Sequence, residues 1–340
     1  MSRNPIPLIG LSLAALVIAS CGDEATPTQP EPSTAVDATA SASNTWTPKA
    51  AATPSDFFDA AEVTISPGHS LVYILGGADE EHSGGFQNLS YDLATNTWTT
   101  KQQFIDEFLT NGTGKIGTLV YISGGYSRHA EETSQASLEA YNPITDQITQ
   151  KKDMPLHTAE GVSGVIANRL YVLPGACGGE GYPSPGYCAV EPIRTLFRYY
   201  PGTDTWTRRR SCPHYHRDGA GGVINGKFYV VGGNNTRNLD AYDPVANTWT
   251  TRAPLPITTG GAKAAVIQNK LFVVTSVKSN GVFKTYSYDP VTNAWKTRAG
   301  PPTYGALARI QLNSHSYVLS VTGNGGWFGA PPVASQLYTP

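Results

Sequence analysis

The feature that most constrains this chain is a repeated phrase that one copy spells across both ends. Tyr91-Asp92-Leu93-Ala94-Thr95-Asn96-Thr97-Trp98 recurs as Tyr242-Asp243-Pro244-Val245-Ala246-Asn247-Thr248-Trp249 and as Tyr288-Asp289-Pro290-Val291-Thr292-Asn293-Ala294-Trp295. Tyr338-Thr339-Pro340 starts the phrase at the C-terminus, and Asn44-Thr45-Trp46 finishes it near the N-terminus. An open stack of repeats has no physical reason to divide a unit this way. A closed ring does, because the first strand of the chain then completes the last unit.

Five internal copies place a Tyr seven residues before an aromatic or apolar anchor: Tyr91 to Trp98, Tyr141 to Ile148, Tyr199 to Trp206, Tyr242 to Trp249 and Tyr288 to Trp295. With the divided copy they make six. Between anchors the order is constant: a small-residue stretch, an apolar run, then usually Gly-Gly, as in Leu71-Val72-Tyr73-Ile74-Leu75-Gly76-Gly77 and Lys227-Phe228-Tyr229-Val230-Val231-Gly232-Gly233. Short β-branched and aromatic runs bounded by Gly, Asn, Asp and Pro predict strands. The unbroken apolar run suits a strand buried on both faces, and the glycines after it allow positive φ or close backbone approach. Asp-Pro-x-x-Asn is turn chemistry, with Pro setting φ and Asx side chains bonding nearby backbone. Each unit is expected to supply two inner strands, the Tyr strand and the Trp strand.

The double glycine after an apolar strand, with Tyr and Trp at this separation, resembles the kelch family over roughly residues 44–340. The resemblance implies an all-β fold, a six-bladed kelch-type propeller of four-stranded antiparallel blades closed by the strand around Trp46. Units depart from the pattern at Pro174-Gly175, Thr275-Ser276 and Ser320-Val321, which replace Gly-Gly, and at Ile148, which replaces Trp. The first strand of the second unit falls in Phe108 to Ile116, where Asn111-Gly112-Thr113-Gly114 interrupts it. Composition agrees: 340 residues with 35 Gly, 25 Pro and 18 Tyr and only 15% charged side chains describe an all-β chain rich in turns. No basic run exceeds Arg208-Arg209-Arg210, and the formal net charge of -2 argues against the broad basic face of a duplex binder, so nucleic acid is not an expected partner. A monomer is expected.

Residues 1–20 are expected to be an address rather than part of the fold. The apolar stretch from Ile6 to Ala19 is short for a membrane span, which needs about 20 residues. Ile18-Ala19-Ser20-Cys21 resembles the lipobox of bacterial lipoproteins, which implies that Cys21 carries lipid and is the only membrane contact. Residues 21–43, rich in Pro, Thr, Ser and Ala, are then a tether that cannot bury enough surface to fold. Gly22 is not the Asp of a plasma-membrane retention signal, which favours the outer membrane of a bacterial envelope.

Export leaves Cys177, Cys188 and Cys212 in an oxidising compartment. Propeller topology puts the loop between the second and third strands of a blade on the same face as the loop leading into the next blade. On that basis Cys177 and Cys188 are the expected disulfide, closing a Gly- and Pro-rich insertion, with Cys212 as a competitor.

The same topology gathers one loop-lined face. After the Gly-Gly positions come Asp79-Glu80-Glu81-His82, Ser127-Arg128-His129, Asn234-Asn235-Thr236-Arg237-Asn238 and Asn324-Gly325-Gly326-Trp327. Leading into blades come His157 with Glu160, His214-Tyr215-His216-Arg217-Asp218, and Tyr304. Loops on a rigid scaffold carry function, so Arg217, Asp218, His216, Arg128, Arg237 and Trp327 are the expected ligand contacts. His214-x-His216 in a strand-like segment points both rings to one side, but no third ligand is evident, so no metal and no cofactor are expected.

Three functions are consistent with these residues. A lipid-anchored, non-catalytic recognition module would bind a protein, peptide or glycan through this face. The resemblance of the fold to periplasmic N-acetylneuraminate epimerases implies an enzyme acting on a sugar in the funnel; that family's catalytic residues do not map onto this chain, and Glu160, Arg217, Asp218 and His216 are the residue types here that would supply acid/base and carboxylate-binding groups. A structural envelope component is the third. Copper-radical oxidases share the propeller but need a metal-bound Tyr with a Cys partner, and no such set stands out.

Overall fold

The structure, a computed structural model, describes residues 43–51, 59–75, 87–104, 107–108, 110–127, 133–176, 194–322 and 335–340. Ser41–Pro340 forms one compact unit, and every regular element described in it is a strand. After β1 (Thr45–Lys49), the first blade is β2 (Asp59–Ser66), β3 (His69–Leu75), β4 (Gln87–Asp92) and β5 (Thr97–Phe104). The second comprises β6 (Glu107–Phe108), β7 (Thr113–Ile116), β8 (Leu119–Ser127), β9 (Thr133–Asn142) and β10 (Gln147–Gln150). The third is β11 (Val162–Ile166), β12 (Arg169–Leu173), β13 (Phe197–Tyr200) and β14 (Thr205–Arg208). The fourth is β15 (Ala220–Ile224), β16 (Lys227–Val231), β17 (Leu239–Asp243) and β18 (Thr248–Thr251). The fifth is β19 (Ala262–Ile267), β20 (Lys270–Ser279), β21 (Val282–Asp289) and β22 (Ala294–Arg298). The sixth is β23 (Ala306–Leu312), β24 (His315–Val321), β25 (Ser335–Thr339) and β1.

The ring closes as the divided phrase requires. β1 runs antiparallel to β25 with Trp46 opposite Tyr338, and the Asn44 amide donates to the Thr339 carbonyl at 2.7 Å. The strands β2, β7, β11, β15, β19 and β23 adjoin one another in that cyclic order, with β23 returning to β2. One expectation is corrected here: the Tyr and Trp strands are the third and outermost strands of each blade, and the small-residue stretch forms the innermost. The reason is crowding at the axis. A Cβ on Gly164 would lie 2.8 Å from Phe228 Cδ2 and 2.9 Å from Val223 Cγ2 of the next blade, so only the smallest residue fits.

The repeated phrase is a joint between blades. In the five uninterrupted copies the Tyr hydroxyl donates to the Asx side chain five residues on, as in Tyr242 to Asn247 at 2.7 Å, and in the divided copy Tyr338 donates to Asn44 at 3.0 Å. Those six Asx residues all have φ between 50° and 62°, a left-handed conformation that Asn and Asp adopt at lower cost than other side-chain-bearing residues. At five interfaces the same Asx oxygen also accepts an amide from the preceding blade, and the indole two residues further donates to the carbonyl of the residue that supplied it. Asn247 thus takes the Arg210 amide at 3.1 Å and Trp249 caps the Arg210 carbonyl at 2.8 Å. The same pair of bonds joins Ala50 to Asn96 and Trp98, Lys152 to Asp204 and Trp206, Ala253 to Asn293 and Trp295, and Ala299 to Asn44 and Trp46. Ile148, whose side chain carries no N–H, cannot make the second bond.

The core lies between blades rather than within one. Its buried apolar residues fall into six clusters, one per interface; the cluster joining the last blade to the first contains Ile310, Leu319 and Leu337 with Val72, Ile74 and Tyr91. Each cluster buries a Tyr of the repeat phrase with 0–1% exposure, so these hydroxyls need the Asx acceptors just described. The innermost strand of the second blade is broken into β6 and β7, both paired with β8. Between them Gly112 sits at φ 94° and the buried Asn111 side chain bonds the Ser123 and Thr158 carbonyls, which accounts for the interruption seen in the sequence.

Candidate functional site

The segments leading into the third, fourth and fifth blades meet at one mouth of the ring. Glu160 precedes β11 and Asp218 precedes β15, and both are left-handed at φ 55°. That conformation turns each carbonyl toward the following blade: the Asp218 amide donates to Glu160 O and the Ala262 amide to Asp218 O, both at 3.0 Å. Backbone strain of this kind in non-glycine residues is held in place by surrounding bonds and concentrates at functional sites.

Between the two acids stands Arg217. Its Nε donates to Glu160 Oε2 at 2.5 Å and lies 3.9 Å from Asp218 Oδ2. The Glu160 side chain is 9% exposed, whereas Arg217 and Asp218 are 53% and 47% exposed, so a sunken carboxylate steers an accessible guanidinium. The Asp218 carboxyl is pushed up to about 6, first by withdrawal from water and then by the Glu160 charge, with Arg217 and Lys263 partly offsetting both. Tyr126 is pushed up to about 12 by burial and by Glu160, and Tyr304 is raised by burial and by Asp218. Both phenols therefore stay protonated at physiological pH.

The Gly-Gly position explains how the loop after β16 reaches this mouth. Gly233 has φ 75°, and a Cβ there would sit 2.3 Å from the Arg217 carbonyl, which accepts the Asn234 amide at 2.9 Å. A side-chain-bearing residue would push the loop away from the segment that presents Arg217.

Of the sequence-predicted contacts, Arg217 and Asp218 come together here. Arg237 is exposed on the loop between β16 and β17, with its backbone carbonyl bonded to the Leu255 amide. His216 points elsewhere: its side chain is fully buried, with Nδ1 2.8 Å from Gly232 O and Nε2 3.1 Å from Asp240 Oδ2. Cys212 is a free, buried thiol whose Sγ lies 3.5 Å from the same Asp240 oxygen, and so it forms no disulfide. Arg128, Trp327, Cys21, Cys177 and Cys188 lie outside the described residues.

Three participants were missed in the sequence. Tyr126 directly follows Gly124-Gly125, and Lys263 is a charge within a small-residue stretch; each position was legible as unusual. Asp240 stands two residues before the repeat Tyr, where other units have Leu89, Glu139, Phe197, Tyr286 and Gln336, and it is completely buried. Burial alone would raise its carboxyl, but bonds from His216, Thr251 and His214 hold it below the usual range.

The Kelch motif family matches residues 217–256. Kelch-like protein 25 of Xenopus tropicalis is 22% identical over 169 residues, covering 48% of this chain and 27% of that protein, so the match spans about a quarter of the relative. A solved structure described as "Structure of YjhT" superposes with a TM-score of 0.58 at 16% identity, covering 84% of this chain and 95% of the other.

Proposed function

We propose that the loop-bearing face of this six-bladed β-propeller, in which the Kelch motif family matches residues 217–256, is a non-catalytic recognition surface for an extracytoplasmic protein, peptide or glycan that carries a carboxylate. The observation that carries this reading is Arg217, half-exposed at the mouth and anchored through Nε to the sunken Glu160. Anchoring one nitrogen pre-orients the guanidinium, leaving its Nη groups for bidentate bonding to an acidic ligand group. Tyr126 and Tyr304 supply aromatic walls with protonated hydroxyls. Arg128, Arg237 and Trp327 extend the contact surface, and lipid on Cys21 tethers the propeller to a bacterial envelope, with the outer membrane favoured.

The test is capture from a glycan array and from an extracytoplasmic extract by the full chain and its Arg217→Ala variant. Mutation-sensitive capture with an unchanged melting temperature is the expected result. Capture that Arg217→Ala leaves intact would remove Arg217 from the recognition surface.

A second reading, a sugar-acid epimerase or mutarotase, is favoured by one observation: an Asp218 carboxyl near 6 is poised for proton transfer close to neutral pH. Free sugar acids whose configuration exchanges faster with wild type than with Asp218→Asn would establish turnover in place of recognition.

A further inference from the structure

We propose that Cys212, His216 and Asp240 form an internal binding site for a single divalent cation of the zinc class, held in the blade that presents Arg217. Their ligand atoms lie within 4.8 Å of one another, and all three residues are buried. Cys212 Sγ is 3.5 Å and His216 Nε2 3.1 Å from Asp240 Oδ2. A tetrahedral zinc ion, with bonds of about 2.0–2.1 Å to N and O and about 2.3 Å to S, sets donor separations of about 3.3 Å for N···O and about 3.5 Å for S···O. The observed spacings fit these edges. His214 Nδ1, 2.8 Å from the same oxygen on a half-exposed side chain, is the nearest candidate for a fourth ligand.

Two further observations fit a bound cation. His216 faces an acceptor with each ring nitrogen, Gly232 O at Nδ1 and Asp240 Oδ2 at Nε2. A neutral imidazole has one N–H, so the second nitrogen faces Asp240 Oδ2 across a position that either a proton or a ligated cation fills. Nδ1–H donating to a backbone carbonyl while Nε2 ligates is the arrangement that orients histidine ligands of metals. The second observation is Asp240 itself. It places a carboxylate at 0% exposure, at a position filled by Leu89, Glu139, Phe197, Tyr286 and Gln336 in the other blades. Such burial is costly unless the charge is paired or ligates a metal. Its Oδ1 is oriented by the Thr251 hydroxyl at 2.7 Å, leaving Oδ2 facing the cluster. A mixed thiolate, imidazole and carboxylate set in a small buried space suits zinc among common cations.

The proposal is independent of the recognition reading. Its consequence for the mouth is that the cation pins the segment 212–216 to β17, and Arg217 follows directly.

The test uses the full chain, stripped of metal and titrated with Co²⁺ and then Zn²⁺. One equivalent of Co²⁺ is expected to give visible bands of a four-coordinate ion and a thiolate-to-cobalt absorption in the near ultraviolet. Zn²⁺ should abolish both and raise the melting temperature reversibly. Cys212→Ser and Cys212→Ala should lose the thiolate band, and His216→Gln should weaken zinc on the order of tenfold or more. The two cysteine variants differ in polarity at a buried position, so at least one is expected to melt cooperatively without metal. Absence of saturable Co²⁺ uptake by a cooperatively melting wild type would overturn the site and leave a proton between His216 and Asp240. A thiolate band that persists in a folded Cys212 variant would overturn it equally.

Discussion

At the scale of single residues, one Asx serves three demands at once. Asn247 is left-handed at φ 54°, accepts the Tyr242 hydroxyl and accepts the Arg210 amide of the neighbouring blade. Asn247→Gly keeps the backbone conformation and loses the acceptor, whereas Asn247→Ala loses both. Urea denaturation should find both variants destabilised, with Ala worse than Gly by about 1 kcal/mol, the usual penalty for a left-handed residue carrying a Cβ. Asp218 yields a prediction in pH. Its folded carboxyl, near 6, lies above that of an unfolded chain, about 3.9. Between these values the unfolded state has released a proton that the folded state keeps. The contribution of this group to stability is therefore greatest below about pH 4, falls as pH rises through about 6, and then levels. Denaturation of wild type and Asp218→Asn from pH 4 to 7 should show that fall only in wild type. Loss of charge below pH 6 also leaves the mouth more positive, so an acidic ligand should bind wild type more tightly at pH 5 than at pH 7.5, with a smaller difference in the variant.

At the scale of elements, each outermost strand is fastened sideways by its indole as well as lengthwise by its ladder. Trp249→Phe removes the bond to Arg210 O but retains most of the packing against Tyr242, whose ring centroid lies 5.1 Å away. The expected loss is about 0.5–1.5 kcal/mol in chemical denaturation, the net value of one hydrogen bond whose carbonyl can turn to water. The second blade lacks this bond at Ile148, so its outermost strand is expected to exchange amide hydrogens faster than its counterparts. Near the axis the limit is space rather than bonding. Gly164→Ala forces a methyl against Phe228 and Val223, and overpacking of this kind costs about 1–3 kcal/mol.

At the scale of the whole molecule, the divided sixth blade makes stability depend on both ends of the folded unit. Fusing Pro340 to Ala42 would write Tyr338-Thr339-Pro340-Ala42-Ser43-Asn44-Thr45-Trp46, which restores the seven-residue separation of Tyr and Trp found in the intact units. A circular permutant with that junction, opened between Asn280 and Gly281 in the exposed turn after β20, should fold and melt cooperatively. Removal of Thr45–Lys49 from the original chain should lower the melting temperature sharply, because it exposes the edge of β25 and strips Trp46 from Phe272 and Tyr338. Equal stability of the shortened and original chains would show that β1 does not hold the ring shut.

The ring was legible in the sequence, because a repeat period and its divided copy are properties of residue order alone. Tyr, Asx and Trp were marked by their fixed separations, but as strand and turn residues; that they join neighbouring blades became visible only with the blades side by side. The order of strands within a blade was not legible, because burial on both faces and burial at the axis leave similar apolar signatures; packing decided it. The site divides in the same way. Arg217 and Asp218 were visible as charges in a loop of predictable position, but Lys263, Tyr126 and the Glu160 pairing depend on which blades are neighbours. His214 and His216 were legible as a pair, and only tertiary structure supplied Asp240, 24 residues beyond His216 on another strand, and drew His216 inward from the surface. Direction and burial of a side chain follow from what packs around it, and that neighbourhood exists only once the ring has closed.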